Sequence, residues 1–315
     1  MNLSYHRDDI LNCAQLSPIL EVSAYPKPGN VHRTSDYQDT RFEHFLVSAV
    51  VIRKSINGLC NNIQNLKGEK LDYSRIRLGR HILTAVKQTK KWQSGGNTNL
   101  GAILLLIPLC AASCLLLSKD SKDWEDLRFD LDSIIKGTTY KDTLDLYKAI
   151  EIANPGGLGK VDEFDVKNEQ SMEKIRESNA NLYEIFELTK DRDSIAKEWV
   201  SRFKITFEIG LPYFQDIFQK SHDINITIVN TFLKIVSEVP DTLIIRKHGK
   251  KVADQYSKKA KTILERGGLL ETEGRELLID WDKKISDLDQ KVNPGTTADL
   301  TISTIFAGLL SGIRF

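Results

Sequence analysis

The sequence predicts an all-α fold, a single globular multi-helix domain over residues 1–315 with a buried central apolar helix. The chain has 19 glycines and 8 prolines, a share below the roughly 12% that is usual, which disfavours a turn-rich all-β fold. Long stretches contain neither residue, and the longest is 160–209. Within it Ile195, Trp199 and Phe203 recur every four residues, so one face of a helix is apolar and buried.

The central apolar helix is predicted over residues 100–118, which contain no charged residue. This length is sufficient to cross a bilayer, so a membrane span is the alternative interpretation. Pro108 interrupts the segment, however, and its flanks lack the aromatic belt that marks a membrane interface. We therefore expect a helix buried in the domain and no membrane partner.

The charges of the chain nearly balance, with 44 Lys and Arg against 43 Asp and Glu. Such a chain has no overall basic field to attract nucleic acid or an anionic membrane, so neither is predicted as a partner. Any anionic ligand must be held by a local cluster. Two charged segments are predicted at the surface: 119–132 as a connection, and 160–178 as a solvated helix or, alternatively, a mobile flap.

Four cysteines, Cys13, Cys60, Cys110 and Cys114, are too few and too scattered for a disulfide framework. Cys110 and Cys114 are four residues apart in the apolar segment and are interpreted as core residues. The first residues contain no secretory apolar stretch. Together these features predict a reducing, cytoplasmic setting.

Four short turns rich in glycine, proline and asparagine are the most informative local pattern, at 26–30, 95–101, 154–159 and 293–299. A helix is predicted to begin just after each turn. Glycine lets the backbone approach a ligand closely, and the first N–H groups of a helix lack internal partners and lie at its positive end. We expect the turns to meet and bind a polyphosphate. The alternative is four well-capped helix starts.

Acidic residues accompany these turns. Asp36 and Asp39 are three residues apart on one face of a predicted helix, and they are the predicted ligands of Mg²⁺, since carboxylates beside a polyphosphate attract that ion. Glu21, Asp241 and Asp299 also lie near turns. Taken singly, each of these acids also fits a helix cap or a solvated surface charge.

The motifs at 21–39, 97–101, 241–242 and 293–300 resemble, in the same order, those of the triphosphoribosyl-dephospho-CoA synthase family. The resemblance spans nearly the whole chain. It implies an all-α enzyme that joins ATP to 3′-dephospho-CoA, releases adenine and makes the precursor of the prosthetic group of citrate lyase and malonate decarboxylase. ATP with Mg²⁺ and a CoA-like or other ribose-bearing acceptor are therefore the expected partners, and a homo-oligomer is left open.

The resemblance also implies the roles of individual residues. A carboxylate takes the acceptor proton and stabilises positive charge at C1′ of the ribose as adenine leaves; the candidates are Glu21, Asp241 and Asp299. His248 is the candidate donor of a proton to adenine. The predicted ligands of the substrate and its phosphates are Lys27, Gly29, Asn30, Arg33, Asn97, Thr98, Asn99, Gly101, Arg246, Lys247, Asn293, Gly295, Thr296 and Thr297.

Several positions depart from the family pattern. Asn30 and His32 replace a leucine and an aspartate, and Asn99 and Leu100 replace a histidine and a lysine. The turns and acids are retained while donor positions change, so we expect the nucleotide donor to be the same and the acceptor to differ. Two alternatives stay open: a ribosyl or phosphoribosyl transferase with another acceptor in a different cofactor pathway, and a non-catalytic helical nucleotide-binding protein.

Overall fold

A computed structural model describes residues 3, 5–66, 71–117, 119, 123–156, 165–166, 168–286 and 292–315, and confirms the all-α prediction. The helices are α1 (Arg7–Ser23), α2 (Phe42–Val51), α3 (Arg53–Asn65), α4 (Leu78–Trp92), α5 (Leu100–Leu116), α6 (Trp124–Lys136), α7 (Tyr140–Ala153), α8 (Glu169–Ser178), α9 (Leu182–Thr189), α10 (Ser194–Val200), α11 (Leu211–Ser221), α12 (Ile224–Glu238), α13 (Thr242–His248), α14 (Lys250–Glu265), α15 (Thr272–Ser286) and α16 (Gly295–Leu310). A 3₁₀ turn, Tyr73–Ile76, precedes α4, and a π-helical turn, Ile205–Gly210, leads into α11.

Helices α5 and α16 form the centre of the molecule. Every residue of α5 is buried, because the helix is apolar on all sides and packs against α1, α3, α4, α6, α10 and α16. Helix α16 is buried except at Gly295 and Asp299, and it also packs against α1, α11 and α12. The buried central helix is therefore confirmed. Among the described helices, none combines the length and hydropathy that a membrane span requires.

One hydrophobic cluster contains side chains from α1 at one end of the chain to α16 at the other. A second, smaller cluster joins α7, α8 and α9 through Leu144, Tyr147, Ile175 and Ile185. This small cluster lies beside the candidate site described below, and it supplies two of its lining residues. The assignment of 1–315 to a single domain stays a prediction.

The prediction of a surface connection over 119–132 was wrong for most of its length. Helix α6 begins at Trp124, and the Asp123 side chain accepts a hydrogen bond from the Asp126 N–H at 2.8 Å to cap it. Leu127 and Leu131 are buried, because they lie four residues apart on one face of the helix. Because charged residues stand between these two leucines, the sequence pattern did not indicate a buried helix face here.

The expected solvated helix over 160–178 is confirmed for 169–178, whereas the described residues 165, 166 and 168 before it are not helical. Helix α8 covers 169–178, and its Asn168 side chain accepts a hydrogen bond from the Gln170 N–H. Only one side of this helix is buried, through Ile175. Residues 157–164 and 167 lie outside the described part of the chain.

The cysteines correct one expectation. Cys60 of α3 forms a disulfide with Cys114 of α5, although Cys114 was interpreted as a packing residue alone. Cys13 and Cys110 are buried free thiols. The two bridged residues are 54 positions apart, and they meet because α3 packs directly on α5.

A buried carboxylate holds the chain together where α10 ends. Glu198 accepts hydrogen bonds from the Ile205 N–H at 2.7 Å and from the N–H and Oγ1 of Thr206 at 2.9 and 2.6 Å. These donors belong to the π-helical turn, which follows two residues with left-handed backbone, Arg202 and Phe203. Burial raises the pKa of Glu198 to about 7, and these hydrogen bonds oppose the rise.

The raised pKa of Glu198 predicts a dependence of stability on pH. Between about pH 4.5 and 7 the folded protein keeps a proton that the unfolded chain releases, so the free energy of unfolding falls as the pH rises through this window. We expect Glu198→Gln to remove about 3 kcal/mol of this fall. Urea unfolding of wild type and variant, followed by circular dichroism from pH 4.5 to 8, measures the difference.

The matched control is Glu208→Gln, which removes a partly exposed acid of the same π-helical turn. Because the surface charge of Glu208 is screened by solvent, this variant should keep the pH dependence of the wild type. An unchanged pH dependence in Glu198→Gln itself would contradict the assignment.

Candidate active site

The four turns lie around a cavity of about 650 Å³. The turn residues that line it are Asn30 from the first turn, Gly96, Asn97, Thr98, Asn99, Leu100 and Gly101 from the second, Asn154, Pro155 and Gly156 from the third, and Asn293, Gly295, Thr296, Ala298 and Asp299 from the fourth. The prediction that distant turns meet at one cavity is confirmed. The part of the third turn from 157 to 159 lies outside the described residues.

Within the described residues, two of the four turns begin a helix. The second and fourth lead into α5 and α16, as predicted. The first turn is followed by a loop, and α2 begins only at Phe42. In the third turn, Asn154 ends α7 in the left-handed conformation with φ 44°, a common way for a helix to stop. Expecting a helix directly after the first turn was therefore wrong, whereas the residues that follow the third turn, 157–164, lie outside the described part of the chain.

The helix starts at the cavity already have protein acceptors. The Leu100 N–H donates to Asn97 Oδ1 at 3.1 Å, and the Asp299 carboxylate accepts a hydrogen bond from the Ala102 N–H. At α16, the Thr297 N–H donates to Asp241 Oδ2 at 2.7 Å. Thr296 and Asp299 have the spacing of a capping box, but they form no side-chain cap at the start of α16, because the Asp299 carboxylate turns to α5. The N–H groups of Leu100, Ala102 and Thr297 therefore already have hydrogen-bond acceptors and are not free to bind a phosphate.

Two carboxylates face the cavity from the central helices. Glu21 lies in the last turn of α1 and is 3% exposed, and Asp299 lies in the second turn of α16. Asp299 presses against Gly101, where any Cβ would collide with its Oδ2 atom. Only glycine leaves room for this carboxylate at the start of α5.

The two carboxylates have different surroundings. Burial raises the pKa of Glu21, but the adjacent Lys27 ammonium group opposes the rise. Burial also raises the pKa of Asp299 well above its usual value, and the negative charges of Glu21, Asp241 and Asp193 raise it further. Different environments of this kind separate a proton acceptor from a proton donor. Glu21 is therefore the better anion, and Asp299 the better holder of a proton.

Asp241, a predicted catalytic residue, does not line the cavity. It is 2% exposed, and its Oδ1 atom accepts hydrogen bonds from the N–H groups of Leu243 and Ile244 at 2.8 and 2.9 Å, at the start of α13. Its Oδ2 atom accepts from the N–H and Oγ1 of Thr297, at the start of α16. A single carboxylate thus caps two helices and holds them together. Thr297 is engaged in this cap and does not line the cavity either.

The predicted magnesium ligands are separated. Asp36 and Asp39 lie in a loop and not on a helix, so the predicted shared helix face was wrong. Asp36 Oδ1 accepts a hydrogen bond from the Phe42 N–H at 2.7 Å at the start of α2, and Asp36 does not line the cavity. Asp39 does line it, and its backbone oxygen accepts a hydrogen bond from the Gly96 N–H at 3.2 Å.

The predicted magnesium ligands do not form a metal site by themselves. Within the described ranges, no group of three His, Cys, Asp or Glu side chains could by itself hold a metal. Of the two predicted ligands, Asp39 is the one that lines the cavity, and one carboxylate suffices for Mg²⁺ where a bound phosphate supplies further oxygen ligands.

Three predicted phosphate ligands of the first turn are turned away from the cavity. Lys27 is buried against Glu21, and Arg33 is exposed and donates to Asn225 Oδ1 at 3.0 Å. Gly29 has φ 78°, and a Cβ there would collide with the backbone oxygen of Val292. Among the first turn's predicted ligands, Asn30 is the one that lines the cavity.

The cations at the cavity come from other places. Arg192, Arg246 and Lys247 line it, and we call these three side chains the basic group. Arg246 Nη1 lies 2.9 Å from Asp193 Oδ2, which fixes its position. His248 ends α13 and does not line the cavity.

Sequence reasoning missed Arg192, Asp193 and the apolar wall of the cavity. That wall consists of Leu146, Tyr147 and Ile150 of α7 and Ile185, Phe186 and Leu188 of α9. In the sequence these residues have the same helical spacing as core residues, so the pattern alone does not distinguish a cavity wall from a core. Arg192 stands in a charged turn between α9 and α10, where nothing in the sequence separates it from a solvated residue.

A model of the ATP:dephospho-CoA triphosphoribosyl transferase family matches residues 7–314. The chain belongs to this family. The resemblance seen in the sequence is thereby confirmed, and it extends over the whole cavity described above. The family description names ATP and dephospho-CoA as the two substrates.

Two similar proteins agree with this assignment. Protein CitXG of Leuconostoc mesenteroides subsp. cremoris is 23% identical over 309 residues, which are 97% of this chain and 60% of that protein. The chain therefore spans about 60% of the length of this curated relative. A crystal structure from Archaeoglobus fulgidus, proposed to be a triphosphoribosyl-dephospho-CoA synthase, is 26% identical with a TM-score of 0.64, and covers 87% of this chain and 100% of its own.

The double cap made by Asp241 predicts a large stability effect. Asp241→Ala leaves four donors of α13 and α16 without their acceptor inside the protein, and we expect it to lower the free energy of unfolding by about 2–4 kcal/mol. Asp223→Ala is the matched control, because Asp223 caps only α12, at the surface; its expected cost is about 1 kcal/mol. Urea unfolding followed by circular dichroism measures both, and equal costs would contradict the double cap.

Proposed function

We propose that this protein transfers the triphosphoribosyl group of ATP to a hydroxyl of 3′-dephospho-CoA or a similar CoA-like acceptor and releases adenine. The observation that carries the proposal is that one cavity joins two carboxylates, Glu21 and Asp299, with the basic group. The two carboxylates suit a reacting sugar that becomes positively charged, and the three cations of the basic group suit a polyphosphate. Family membership supports the same substrates.

The distribution of charge supports a place for each part of ATP. The Glu21 carboxylate would repel a triphosphate, and the N–H groups of Leu100, Ala102 and Thr297 at the helix starts already have protein acceptors. Arg192, Arg246 and Lys247 instead supply positive charge and several N–H donors, which suit phosphate oxygens. We therefore assign the triphosphate to the basic group and C1′ of the ribose to the space between the carboxylates. This assignment replaces the phosphate cradle that was expected from the turns.

The reaction exchanges one bond at C1′ for another. The acceptor oxygen forms a bond to C1′ as the bond from C1′ to adenine breaks, and that electron pair leaves with adenine. Glu21 accepts the proton of the acceptor hydroxyl, and protonated Asp299 gives a proton to the departing adenine. The negative charge of Glu21 also stabilises the positive charge that develops at C1′. Proton exchange with water then restores both carboxyl groups.

Magnesium would enter with ATP and be held on the protein side by Asp39. It would neutralise part of the phosphate charge, which is the chemistry that this ion supplies in other nucleotide sites. The apolar wall between α7 and α9 suits an acceptor with a long, uncharged arm beyond its ribose. The cytoplasmic location expected from the sequence stays part of this proposal.

The direct test is to mix the protein with Mg-ATP and dephospho-CoA and to look for free adenine by chromatography. We also expect a product whose mass equals dephospho-CoA plus the triphosphoribosyl group. Adenine release with a different ribose-bearing acceptor, and none with dephospho-CoA, would favour the alternative transferase. Binding of ATP without adenine release for any acceptor would identify a non-catalytic nucleotide-binding protein and refute the proposal.

The place assigned to the triphosphate predicts a specific loss of affinity. Lys247→Met removes a cation from the cavity wall without shortening the side chain much, and we expect ATP to bind about tenfold more weakly. Isothermal titration calorimetry with Mg-ATP measures this change. Lys251→Met on α14 is the control, because Lys251 is exposed and does not line the cavity. Equal affinities for the two variants would place the triphosphate elsewhere.

A further inference from the structure

Lys27 lies behind the cavity and not in it. Its side chain is fully buried, and its Nζ atom forms an ion pair with Glu21 Oε1. The same Nζ atom lies 6.0 Å from the centre of the Phe232 ring, on α12. A phosphate in the cavity would reach Lys27 only by displacing Glu21. The lysine therefore acts on the cavity through the carboxylate.

The loop that carries Lys27 is fastened on both sides. The Asn225 side chain accepts a hydrogen bond from the Tyr25 N–H at 2.9 Å and donates one to the Tyr25 carbonyl at 2.8 Å. On the other side, the Tyr256 hydroxyl donates to the Pro28 carbonyl at 2.6 Å. Because its neighbours are fixed in this way, the ammonium group of Lys27 has a fixed position.

The two oxygens of Glu21 are used differently. Oε1 pairs with Lys27, and Asn30 Nδ2 lies 3.5 Å from the same atom. Within the described part of the chain no protein group donates a hydrogen bond to Oε2, while Glu21 itself lines the cavity. One oxygen is thus anchored, and the other is left for a substrate.

We propose that Lys27 is a positioning residue, which holds Glu21 ionised and turns Oε2 toward the acceptor hydroxyl. This inference rests on the proposed function. Burial of this carboxylate favours uptake of a proton from water, and a protonated Glu21 could not accept one from the acceptor. The Lys27 ammonium group opposes this effect of burial, and its contact with Oε1 also fixes the geometry of proton transfer.

The sign of the pH effect follows from every charged group near Glu21. Lys27 of the first turn and His32, which follows that turn, favour the ionised form of Glu21, and burial opposes it. The charge of Glu21 in turn raises the pKa of Asp299 on α16. Asp282 of α15 acts on Lys27 and lies 3.2 Å from His32 Nε2. Removing the charge of Lys27 therefore raises the pKa of Glu21, so the acidic limb of the rate profile moves to higher pH.

The test compares Lys27→Met with wild type in three measurements. We expect the affinity for Mg-ATP to stay within about threefold, since Lys27 does not reach the phosphates. We expect kcat for adenine release to fall on the order of 10²-fold, the usual size of a lost proton-transfer contribution, and the acidic limb of kcat to shift to higher pH. A tenfold loss of ATP affinity with an unchanged pH profile would show that Lys27 is a phosphate ligand and overturn the inference.

A double variant covers the case in which Lys27→Met does not fold. Glu21→Gln with Lys27→Met removes both charges and leaves no unpaired buried ion, so it should fold. If Lys27 acts through Glu21, the double variant releases adenine as fast as Glu21→Gln alone; a further tenfold loss would overturn the inference. The ion pair between Lys234 and Glu238 at the surface of α12 offers a control. Lys234→Met removes the cation of this pair and should change none of the three measurements.

The two proposals fail in different ways. If the wild-type protein releases no adenine with any acceptor, the proposed function is refuted before the variants are compared. If the wild type is active and Lys27→Met keeps its pH profile and its kcat, only the role of Lys27 is refuted.

Discussion

The arrangement of the cavity depends on one contact, in which the Asp299 carboxylate lies against Gly101. Asp299 of α16 presses on Gly101 of α5 and accepts a hydrogen bond from the N–H of Ala102, the next residue of that helix, so the two central helices begin close together. Asp241 then ties the start of α16 to the start of α13, and the basic residues at the end of α13 come to face the carboxylates across the cavity. The cavity is therefore a consequence of how three helix starts are joined, because acids that cap helices also fix the distance between its walls.

The charged residues of the cavity come from different parts of the fold. Glu21 and Asp299 belong to α1 and α16, whereas Arg192 precedes α10 and Lys247 belongs to α13. Where a cation and an anion do meet at the cavity, as Arg246 and Asp193 do, the pair fixes a side chain and partly neutralises its charge. A substrate with a strongly anionic end and a reacting centre that turns cationic is complementary to this arrangement.

Much of the fold could be predicted from the sequence, because residues 100–116 are apolar on every side and the long segments without glycine have one apolar face. The meeting of the four turns followed from their shared composition and from the resemblance. What could not be predicted depends on contacts across the fold. Lys27 is six residues from Glu21, but only the end of α1 turns the two side chains together. Asp241 reaches Thr297, 56 positions away, and Tyr147 differs from a core residue only in facing an empty space.

The burial of α5 has a consequence for synthesis. This helix leaves the ribosome well before α16, although the two need each other to cover their apolar sides. In a nascent chain the apolar side of α5 that packs on α16 therefore stays without its partner until the last helix is made, and exposed apolar surface of this kind aggregates or recruits chaperones. For the same reason, Glu21 of α1 and Asp299 of α16 come together at the cavity only when the last helix docks.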